Sequence, residues 1–249
     1  MGIILKSAQE IAGMRQAGRI VAEVLEIVRK GVLPGITTLQ LDDIADNEVK
    51  KRGAVASFKG YRGFPASICT SINEEVVHGI PGNRVLKEGD IISLDFGARF
   101  DGFHSDAAVT VGVGKISQTA RNLIDATRGS LAAGIAAARP GGRLGDVSSQ
   151  IQTYAEGRGF SVVREYVGHG IGRDLHEDPQ VPNFGVPGEG PLLIKGMTLA
   201  LEPMLNAGTW RTSVADDKWT VWTADKKLSA HFEHTILIGE GGSEILTRL

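Results

Sequence analysis

Two stretches of this chain share one layout: LPGITTLQLDDIADNEVKKRG at residues 33–53 and RPGGRLGDVSSQIQTYAEGRG at residues 139–159. In each, a Pro-Gly pair precedes a helical pattern and an Arg-Gly pair ends it, at the same spacing. A second echo follows at 87–95 and 195–202, where a glycine stands six residues before an acid that ends an apolar strand. Two echoes in the same order, offset by 106 residues (34 to 140) and 107 residues (89 to 196), predict a duplicated α+β unit.

A longer helix is predicted ahead of each repeated helix. Ser7-Ala-Gln-Glu10 is a capping-box pattern, and the apolar periodicity that follows it stops near Gly31. Ala120 to Ala138 is the counterpart in the second half of the chain. Each half therefore supplies two helices and several strands.

This organisation predicts a single domain that spans 1–249 and is internally duplicated, at about 1–110 and 111–249. Helices from both halves would pack on one face of a sheet, because their apolar stripes need a common partner. The other face would stay open for a functional site.

The composition narrows the class of protein. The 27 basic and 29 acidic residues leave a net charge of −2, so we expect no extended basic surface for nucleic acid. No apolar stretch approaches the ~20 residues that cross a membrane. Cys69 is the single cysteine, which excludes an internal disulfide and a thiolate-rich zinc site and fits a reducing compartment. We expect a protein of the cytoplasm that binds neither membranes nor specific nucleic-acid sequences.

A strand pair that carries two acids is predicted at 90–113. Asp101-Gly102 is a strong hairpin-turn signal, and a two-residue loop there places Asp95 opposite Ala108. Asp106 then lies on the same face as Asp95 and diagonal to it. Two carboxylates on one face repel each other, so they need a cation, a shared proton or wide exposure to solvent.

Two further acids are found at or within apolar strands. Glu202 follows the strand Met197–Leu201, and Glu233 lies inside Ser229–Ile238, which is predicted as one strand. Each acid alone is consistent with an exposed strand end, although an unpaired charge is costly among the apolar neighbours of Glu202. Four acids on four strands, two of them related by the repeat, favour a metal site.

A histidine from the segment GHGIGRDLHEDP, 168–179, is expected to complete the set of ligands. His169 is the better ligand candidate, because its flanking glycines let the backbone turn the ring inward, and His176 is then free for a second role. Four carboxylates carry a charge of about −4, which two divalent ions would neutralise. Oxygen ligands with one or two imidazoles suit Mn, Fe, Co or Zn.

The other histidines of this group have weaker assignments. His231 shares strand parity with Glu233 and is expected to face the site. His104 and His234 are expected to be structural or to support the ligands. A dinucleotide loop at 168–172 is not supported, because residue 173 is arginine rather than the required glycine.

With these residues assembled, the chain closely resembles the type I methionine aminopeptidases over nearly its whole length. The matching motifs are specific as a set: Ser71-Ile-Asn-Glu74, Val77-His-Gly-Ile-Pro81, Asp95, Asp101-Gly-Phe-His-Ser-Asp106, Gly168-His-Gly-Ile-Gly172, His176-Glu177, Leu201-Glu-Pro203 and Glu233-His-Thr235. The resemblance implies the pseudo-two-fold "pita-bread" fold (the creatinase/aminopeptidase fold), an α+β fold whose antiparallel sheet is covered by helices on one face. The stretch between His176 and Glu202 is too short for the long insertion of type II enzymes, and Ser7 opens directly into the first helix, which matches the short bacterial form.

The resemblance also implies an activity. Members of this family remove the initiator methionine from nascent proteins whose second residue is small. Two divalent metal ions (Co, Mn, Fe or Zn) are implied, bound by Asp95, Asp106, His169, Glu202 and Glu233. A water shared by the two ions would attack the first peptide bond, and Glu202 would transfer its proton to the leaving amine.

The substrate contacts implied by the resemblance form two groups. His176 would stabilise the tetrahedral intermediate, and His78 would position the scissile amide. The methionine side chain would enter an apolar pocket lined by Phe58, Tyr61, Phe64, Cys69 and Trp219, since a thioether packs well against aromatic rings. Leu175 stands where a phenylalanine is common in the family, so the rim of the pocket is expected to differ.

Partners are implied in the same way. They are a peptide or nascent-protein N-terminus and a transient contact with the ribosome, and we expect a monomer. In some members a monovalent cation binds at the positions that match Asn73 and Ser229.

Two alternatives share the fold. A proline-directed peptidase of the aminopeptidase P or prolidase kind usually carries an additional N-terminal domain. A non-catalytic binding relative would show eroded ligands, and all five predicted metal ligands are present. We therefore expect a catalytic methionine aminopeptidase.

Overall fold

The computed structural model describes residues 2–249, so Met1, the first residue of the predicted domain, lies outside the described part. Helix α1 spans Ala8–Gly31 and helix α2 spans Thr38–Lys51. The predicted capping box at the start of α1 is confirmed: Ser7 Oγ accepts the Glu10 N–H, and the Glu10 carboxylate accepts the Ser7 N–H at 2.9 Å.

The second half repeats this helical arrangement. Helix α3 spans Gln118–Ala137 and helix α4 spans Leu144–Glu156. Helix α3 begins two residues before the predicted Ala120, because the Ser117 side chain accepts the Ala120 N–H at 3.1 Å and caps the helix there. A single 3₁₀ turn covers Tyr61–Gly63.

Fifteen strands form three sheets within residues 2–249. In chain order they are β1 Val55–Ala56, β2 Cys69–Ile72, β3 Glu75–Val77, β4 Ile91–Phe100, β5 Phe103–Gly112, β6 Ser161–Val162, β7 Gly168–Gly170, β8 Glu177–Val181, β9 Thr198–Leu201, β10 Met204–Asn206, β11 Thr212–Val214, β12 Val221–Thr223, β13 Ser229–His231, β14 Glu233–Ile238 and β15 Ser243–Ile245.

The largest sheet has nine strands in the order β1-β4-β5-β14-β9-β7-β8, with β2 paired to β4 and β15 paired to β14. All of these pairs are antiparallel. Strands β4 and β5 come from the first predicted half and β9 and β14 from the second, and the two groups meet where β5 pairs with β14. The smaller sheets are β13-β10-β6 and β11-β12-β3.

The predicted hairpin is confirmed. Asp101 and Gly102 connect β4 to β5 with φ values of 49° and 80°, the left-handed pair that a type I′ turn requires. This turn sets the register that places Asp95 opposite Ala108 and Asp106 opposite Gly97.

The helices pack on one face of the large sheet. Alternate residues of β4, including Leu94 and Phe96, form a core with α1 and α2. Leu199 and Ile236, on β9 and β14, form a second core with α3 and α4. Because side chains alternate along a strand, the intervening residues of the same strands point to the opposite face.

The prediction of one strand over Ser229–Ile238 is wrong. The chain breaks at Phe232, so that β13 and β14 belong to different sheets. The Thr110 hydroxyl accepts the His231 N–H and donates to the His231 carbonyl, both at 2.8 Å, which replaces the backbone ladder at this point. Strand parity across the break therefore carries no information about where His231 points.

Candidate active site

The strand register brings three of the predicted ligands to the face opposite the helices. Asp95 on β4, Ala108 on β5 and Glu233 on β14 lie side by side in neighbouring strands. Asp106 is two residues from Ala108 on β5, so its side chain points to the same face. The Thr235 hydroxyl accepts the Asp106 N–H and donates to the Asp106 carbonyl, both at 2.9 Å, and so fixes the backbone there.

The remaining two ligands reach this face from β7 and β9. His169 is opposite Ala200, and Ala200 is opposite Thr235 on β14. Glu202 follows two residues after Ala200 and therefore shares its face. Ligand atoms of Asp106, His169 and Glu233 lie within 4.8 Å of one another, and Glu202 Oε1 is 3.5 Å from His169 Nε2.

Glycines flank His169 because neighbouring strands leave no room for side chains. A Cβ at Gly168 would lie 2.3 Å from the Ala200 carbonyl oxygen, and one at Gly170 would lie 2.2 Å from the Asp178 carbonyl oxygen. His169 Nδ1 donates to the Gly170 carbonyl at 2.8 Å, since a carbonyl can only accept. The Nε2 lone pair is then directed toward the acids.

Burial dominates the electrostatics of this cluster. It raises the pKa of Asp95, Glu202 and Glu233 well above their ordinary values, and the charges of the neighbouring carboxylates raise the pKa values of all three further. Burial also raises the pKa of Asp106. It lowers the pKa of the His169 imidazole to about 4. The four carboxylates repel one another when ionised, and a cation among them would keep them ionised.

A cavity opens directly onto this cluster. All seven predicted substrate-contacting residues line it, together with the five predicted ligands, Arg62 and Leu175; the seven are Phe58, Tyr61, Phe64, Cys69, His78, His176 and Trp219. Its volume is about 150 Å³, which suits one inserted side chain rather than a folded segment. Burial raises the pKa of the Cys69 thiol, so Cys69 presents a neutral, apolar wall.

Aromatic contacts hold His78 and His176, the two histidines predicted to contact the substrate. The His176 ring stacks on Tyr61 with centroids 5.2 Å apart and lies 4.1 Å from the His169 ring. The His78 ring makes an edge contact with Trp219 at 6.3 Å. Burial lowers the pKa of His78 to about 4. His176 is partly exposed to solvent, and partial desolvation together with the nearby positive groups lowers its pKa to about 3, so both imidazoles are neutral near pH 7.

His78 also has an unusual backbone. Its φ is 61°, in the left-handed region that non-glycine residues seldom adopt. The Gly79 N–H donates to Ser71 Oγ at 3.1 Å, and the Gly79 carbonyl accepts the Thr70 N–H at 2.8 Å. These bonds hold the strained residue with its ring toward the cavity, and such strain is common at functional sites.

Comparison with known proteins agrees with this geometry. A family model described as metallopeptidase family M24 matches residues 12–240. The chain belongs to this family. Methionine aminopeptidase 1 of Bacillus subtilis is 56% identical over 247 residues, covering 99% of this chain and 100% of that protein. The methionine aminopeptidase of Clostridium perfringens is 56% identical over 245 residues, covering 98% of each chain.

Solved structures extend this likeness to the fold. The methionine aminopeptidase of Thermotoga maritima superposes on this M24 chain with a TM-score of 0.98 at 50% identity and covers 100% of both chains. Prolidase from Pyrococcus furiosus superposes with a TM-score of 0.76 at 20% identity, covering 99% of this chain and 66% of that one, so it shares the fold alone. The predictions of a methionine aminopeptidase and of the pita-bread fold are confirmed.

The residues of this M24 metallopeptidase fit divalent metal. Asp95 Oδ1, Asp106 Oδ1 and Glu233 Oε1 are buried, and no other atom within residues 2–249 forms a hydrogen bond with them. Buried carboxylate oxygens without donors are costly unless a cation is bound. Carboxylate oxygens with one imidazole nitrogen are a donor set that Mn, Fe, Co and Zn accept.

The other histidines lie apart from the M24 cavity. His231, which was expected to face the site, is buried but does not line the cavity, because the break at Phe232 separates it from Glu233. His104 Nδ1 pairs with Ser57 Oγ and His234 Nδ1 with Thr247 Oγ1, both at 2.8 Å. Both rings are thus bonded to hydroxyls away from the ligand cluster.

Sequence reasoning missed Arg62 and Tyr166. Arg62 lines the cavity mouth, with its guanidinium 5.4 Å from the Tyr61 ring centre. Tyr166 lies against the edge of His78, with centroids 5.8 Å apart. The glycines of Gly60-Tyr-Arg-Gly63 mark a tight turn and could have indicated Arg62, whereas no local pattern indicated Tyr166.

Proposed function

We propose that this M24 metallopeptidase removes the initiator methionine from proteins whose second residue is small. One observation carries the proposal: a small cavity with aromatic and apolar walls ends on a cluster of buried carboxylates and an imidazole. The walls suit a thioether side chain, and the cluster lies where the first peptide bond would follow. The relatives in Bacillus and Clostridium bear the name of this activity.

The proposed ligands are Asp95, Asp106, His169, Glu202 and Glu233. Divalent ions in such a site supply Lewis-acid activation of water and of a peptide carbonyl. Support for this set comes from the unpartnered buried oxygens and from the raised carboxyl pKa values, which mark groups that repel one another without a cation. Mn, Fe, Co and Zn are the proposed metals.

Three side chains are proposed to handle the substrate. Glu202, 3.5 Å from His169, accepts a proton from the attacking water and delivers it to the leaving amine. His176 is neutral and donates a hydrogen bond to the oxygen on which negative charge develops. His78, held in its strained conformation at the opposite side, orients the scissile amide.

The cavity walls are proposed to set specificity. Phe58, Phe64, Cys69 and Trp219 enclose the methionine side chain, and Phe64 meets Trp219 edge to face at 5.2 Å. Leu175 offers a smaller, aliphatic rim than an aromatic residue would. Tyr61 and His176 stack with centroids 5.2 Å apart at this cavity, and we propose that they limit the second position of the substrate to small residues.

Further partners and sites complete the proposal. A monovalent cation is proposed near Asn73 and Ser229, where the Ser229 N–H donates to the Asn73 carbonyl at 2.8 Å. The proposed macromolecular substrate is the N-terminus of a nascent protein, so the proposed activity belongs to the cytoplasm, beside the ribosome. We propose that the enzyme is a monomer and consists of one internally duplicated domain. Within residues 2–249 no helix has the length and apolar character needed to cross a membrane.

The test is hydrolysis of Met-Gly-Met, Met-Lys-Met and Gly-Pro peptides by the metal-depleted protein after addition of Mn, Fe, Co or Zn. We expect release of methionine from Met-Gly-Met with at least one metal and little cleavage of Met-Lys-Met. Preferential cleavage of Gly-Pro would instead assign a proline-directed peptidase of the same fold. No hydrolysis of any peptide with any metal would leave a binding protein.

A further inference from the structure

Lys6 and Glu177 form a buried ion pair beside the active site. Lys6 Nζ is 2.5 Å from Glu177 Oε2, and the two side chains are only 2% and 6% exposed. The Lys6 N–H donates to the Gly196 carbonyl at 2.8 Å, and Nζ also donates to the Ile4 carbonyl at 3.3 Å. The segment ahead of helix α1 is thus fixed to residues 177 and 196 in the second half of the chain.

The second carboxylate oxygen of Glu177 binds the backbone of the preceding loop. Glu177 Oε1 accepts the N–H groups of Arg173 and Asp174, at 2.8 Å and 3.3 Å. Residue 172 is glycine because the pair occupies the space above it: a Cβ there would lie 2.3 Å from Lys6 Cε and 2.6 Å from Glu177 Oε1. The loop therefore wraps around the ion pair.

This loop joins the two histidines of the site. Gly170 pairs with Glu177 across β7 and β8, with a register shift directly after His169. Glu177 therefore holds both the start and the middle of the loop. Its backbone pairs with Gly170, and its side chain accepts the N–H groups of Arg173 and Asp174. His176 immediately precedes Glu177, and its ring must remain beside Tyr61 and His169.

The buried Glu177 carboxylate keeps this geometry only while the Lys6 ammonium group is beside it. Removing one partner of a buried pair leaves an uncompensated charge, which moves toward solvent or recruits a proton. Either outcome would release the loop N–H groups and shift the residue next to Glu177. Lys6 is the partner that prevents this, although it lies far from His176 in sequence.

We propose that Lys6 is a positioning residue for catalysis: through Glu177 it fixes the loop that places the His176 ring on the substrate. The inference rests on the proposed role of His176 in peptide hydrolysis. It assigns to the segment ahead of the first helix a function in the reaction rather than in folding alone.

The test is a double-mutant cycle between Lys6→Met and His176→Ala, measured on Met-Gly-Met with kcat referred to metal-loaded protein. We expect Lys6→Met to lower kcat about 10- to 100-fold, the size of effect that small displacements of reacting groups produce, with KM little changed. In the His176→Ala background the same change should lower kcat less than about twofold, because the group that Lys6 positions is already absent. A role in folding alone would lower kcat by the same factor in both backgrounds and would overturn the proposal.

Arg15→Met is the matched control. Arg15 also joins the first helix to a distant carboxylate, Glu244, at 2.7 Å, but this pair is 50% and 38% exposed and lies away from the loop. We expect Arg15→Met to leave kcat unchanged in both backgrounds.

The double variant Lys6→Met/Glu177→Gln should have a kcat at least about threefold higher than that of Lys6→Met. The glutamine oxygen still accepts the loop N–H groups, and no charge is left unpaired. No recovery of kcat would contradict the mechanism.

Two further measurements keep the proposal testable. If Lys6→Met does not fold, Lys6→Met/Glu177→Ala, which removes the charge pair and the oxygen that accepts the loop N–H groups, replaces it in the cycle and must show the same non-additivity with His176→Ala. Hydrogen exchange of the Arg173 and Asp174 amides should be faster in Lys6→Met, and unchanged exchange would overturn the anchoring. Because exchange does not depend on turnover, an inactive wild-type enzyme would refute the proposed function without being confused with failure of this inference.

Discussion

The two faces of the large sheet use the same strands for opposite purposes. On β14, Ile236 points to helices α3 and α4 and is fully buried among apolar side chains, whereas Glu233, three residues earlier, points to the opposite face and is also buried. On β4, Leu94 and Asp95 divide in the same way. Burial of apolar side chains on the helix face stabilises the fold. Burial of charges on the site face destabilises it, because the charges are desolvated and repel one another. The apolar core on the helix face therefore stabilises the same strands that carry the destabilising cluster of acids.

A second contrast lies between buried acids that have partners and those that do not. Asp42 accepts the N–H groups of Ser67 and Ile68, at 2.7 Å and 3.1 Å. Glu177 is satisfied by Lys6 and by its loop. Within residues 2–249, one oxygen on each of three cluster acids has no such donor: Asp95 Oδ1, Asp106 Oδ1 and Glu233 Oε1. Burial is therefore common to both groups, and a buried oxygen without a hydrogen-bond donor distinguishes the acids that are proposed to bind a cation.

The largest expected effect tests the helix face. Ile236→Ala should reduce the free energy of unfolding by about 2–5 kcal/mol, because it removes buried methyl groups and leaves a cavity against Leu199 and the helices. Denaturant unfolding of the metal-loaded protein would measure the loss, and kcat per folded molecule should stay within about twofold of wild type. Loss of activity without loss of stability would break the separation of the two faces.

The next effect tests the site face of the same strand. Glu233→Gln keeps the volume but removes a charge, and we expect at least about a hundredfold loss of metal affinity or activity, since even the supporting partners of metal ligands cost this much. Elemental analysis of bound metal, alongside the peptide assay, would measure it. The metal-free variant should be no less stable than metal-free wild type, because a repelled charge has gone. Full activity in Glu233→Gln would remove Glu233 from the proposed set.

The effect that is smallest per unit of the variable changed is a pH dependence in the metal-free protein. Burial raises the pKa of Asp106 from 3.8 to about 7. Between about pH 4 and pH 7 the folded protein therefore holds a proton that the unfolded chain has released, so raising the pH favours unfolding. The stability of Asp106→Asn relative to wild type should rise across this window, and the proton on Asp106 itself contributes no more than about 1.4 kcal/mol per pH unit to that rise.

Chemical unfolding of both metal-depleted proteins at several pH values would measure this difference. Groups distant from Asp106 contribute equally in both proteins. Loss of the Asp106 charge also lowers the pKa values of Asp95, Glu202 and Glu233 toward their ordinary values, which adds to the expected rise in the same direction. A pH-independent difference would show that Asp106 is ionised in the folded, metal-free state, and the contrast between satisfied and unsatisfied acids would then not extend to it.

Local signals in the sequence predicted much of the fold. Serine and glutamate at Ser7 and Glu10 fix a helix start within one turn, and Asp101-Gly102 fixes the hairpin that sets the register of Asp95 and Asp106. These succeed because the interactions involved span only a few residues. The start of α3 was misplaced by two residues because the cap at Ser117 was overlooked.

Long-range contacts decided what local signals could not. The strand break at Phe232 depends on the Thr110 hydroxyl, more than a hundred residues away in sequence, so the strand-like pattern at Ser229–Ile238 contains no local signal of it. The approach of Tyr166 to His78 and the pairing of Lys6 with Glu177 have the same character. Each arises from strands and loops that meet only after the sheets assemble.

By itself the sequence determined which residue types carry the chemistry, their alternation along the strands, and the family to which the chain belongs. Only the tertiary structure decided that the acids lie in the interior, that three of them have a buried oxygen without a hydrogen-bond donor, and that they converge on one side of the sheet. The physical reason is that alternation and capping are fixed by neighbouring residues, whereas desolvation and repulsion depend on what the rest of the chain places around each charge.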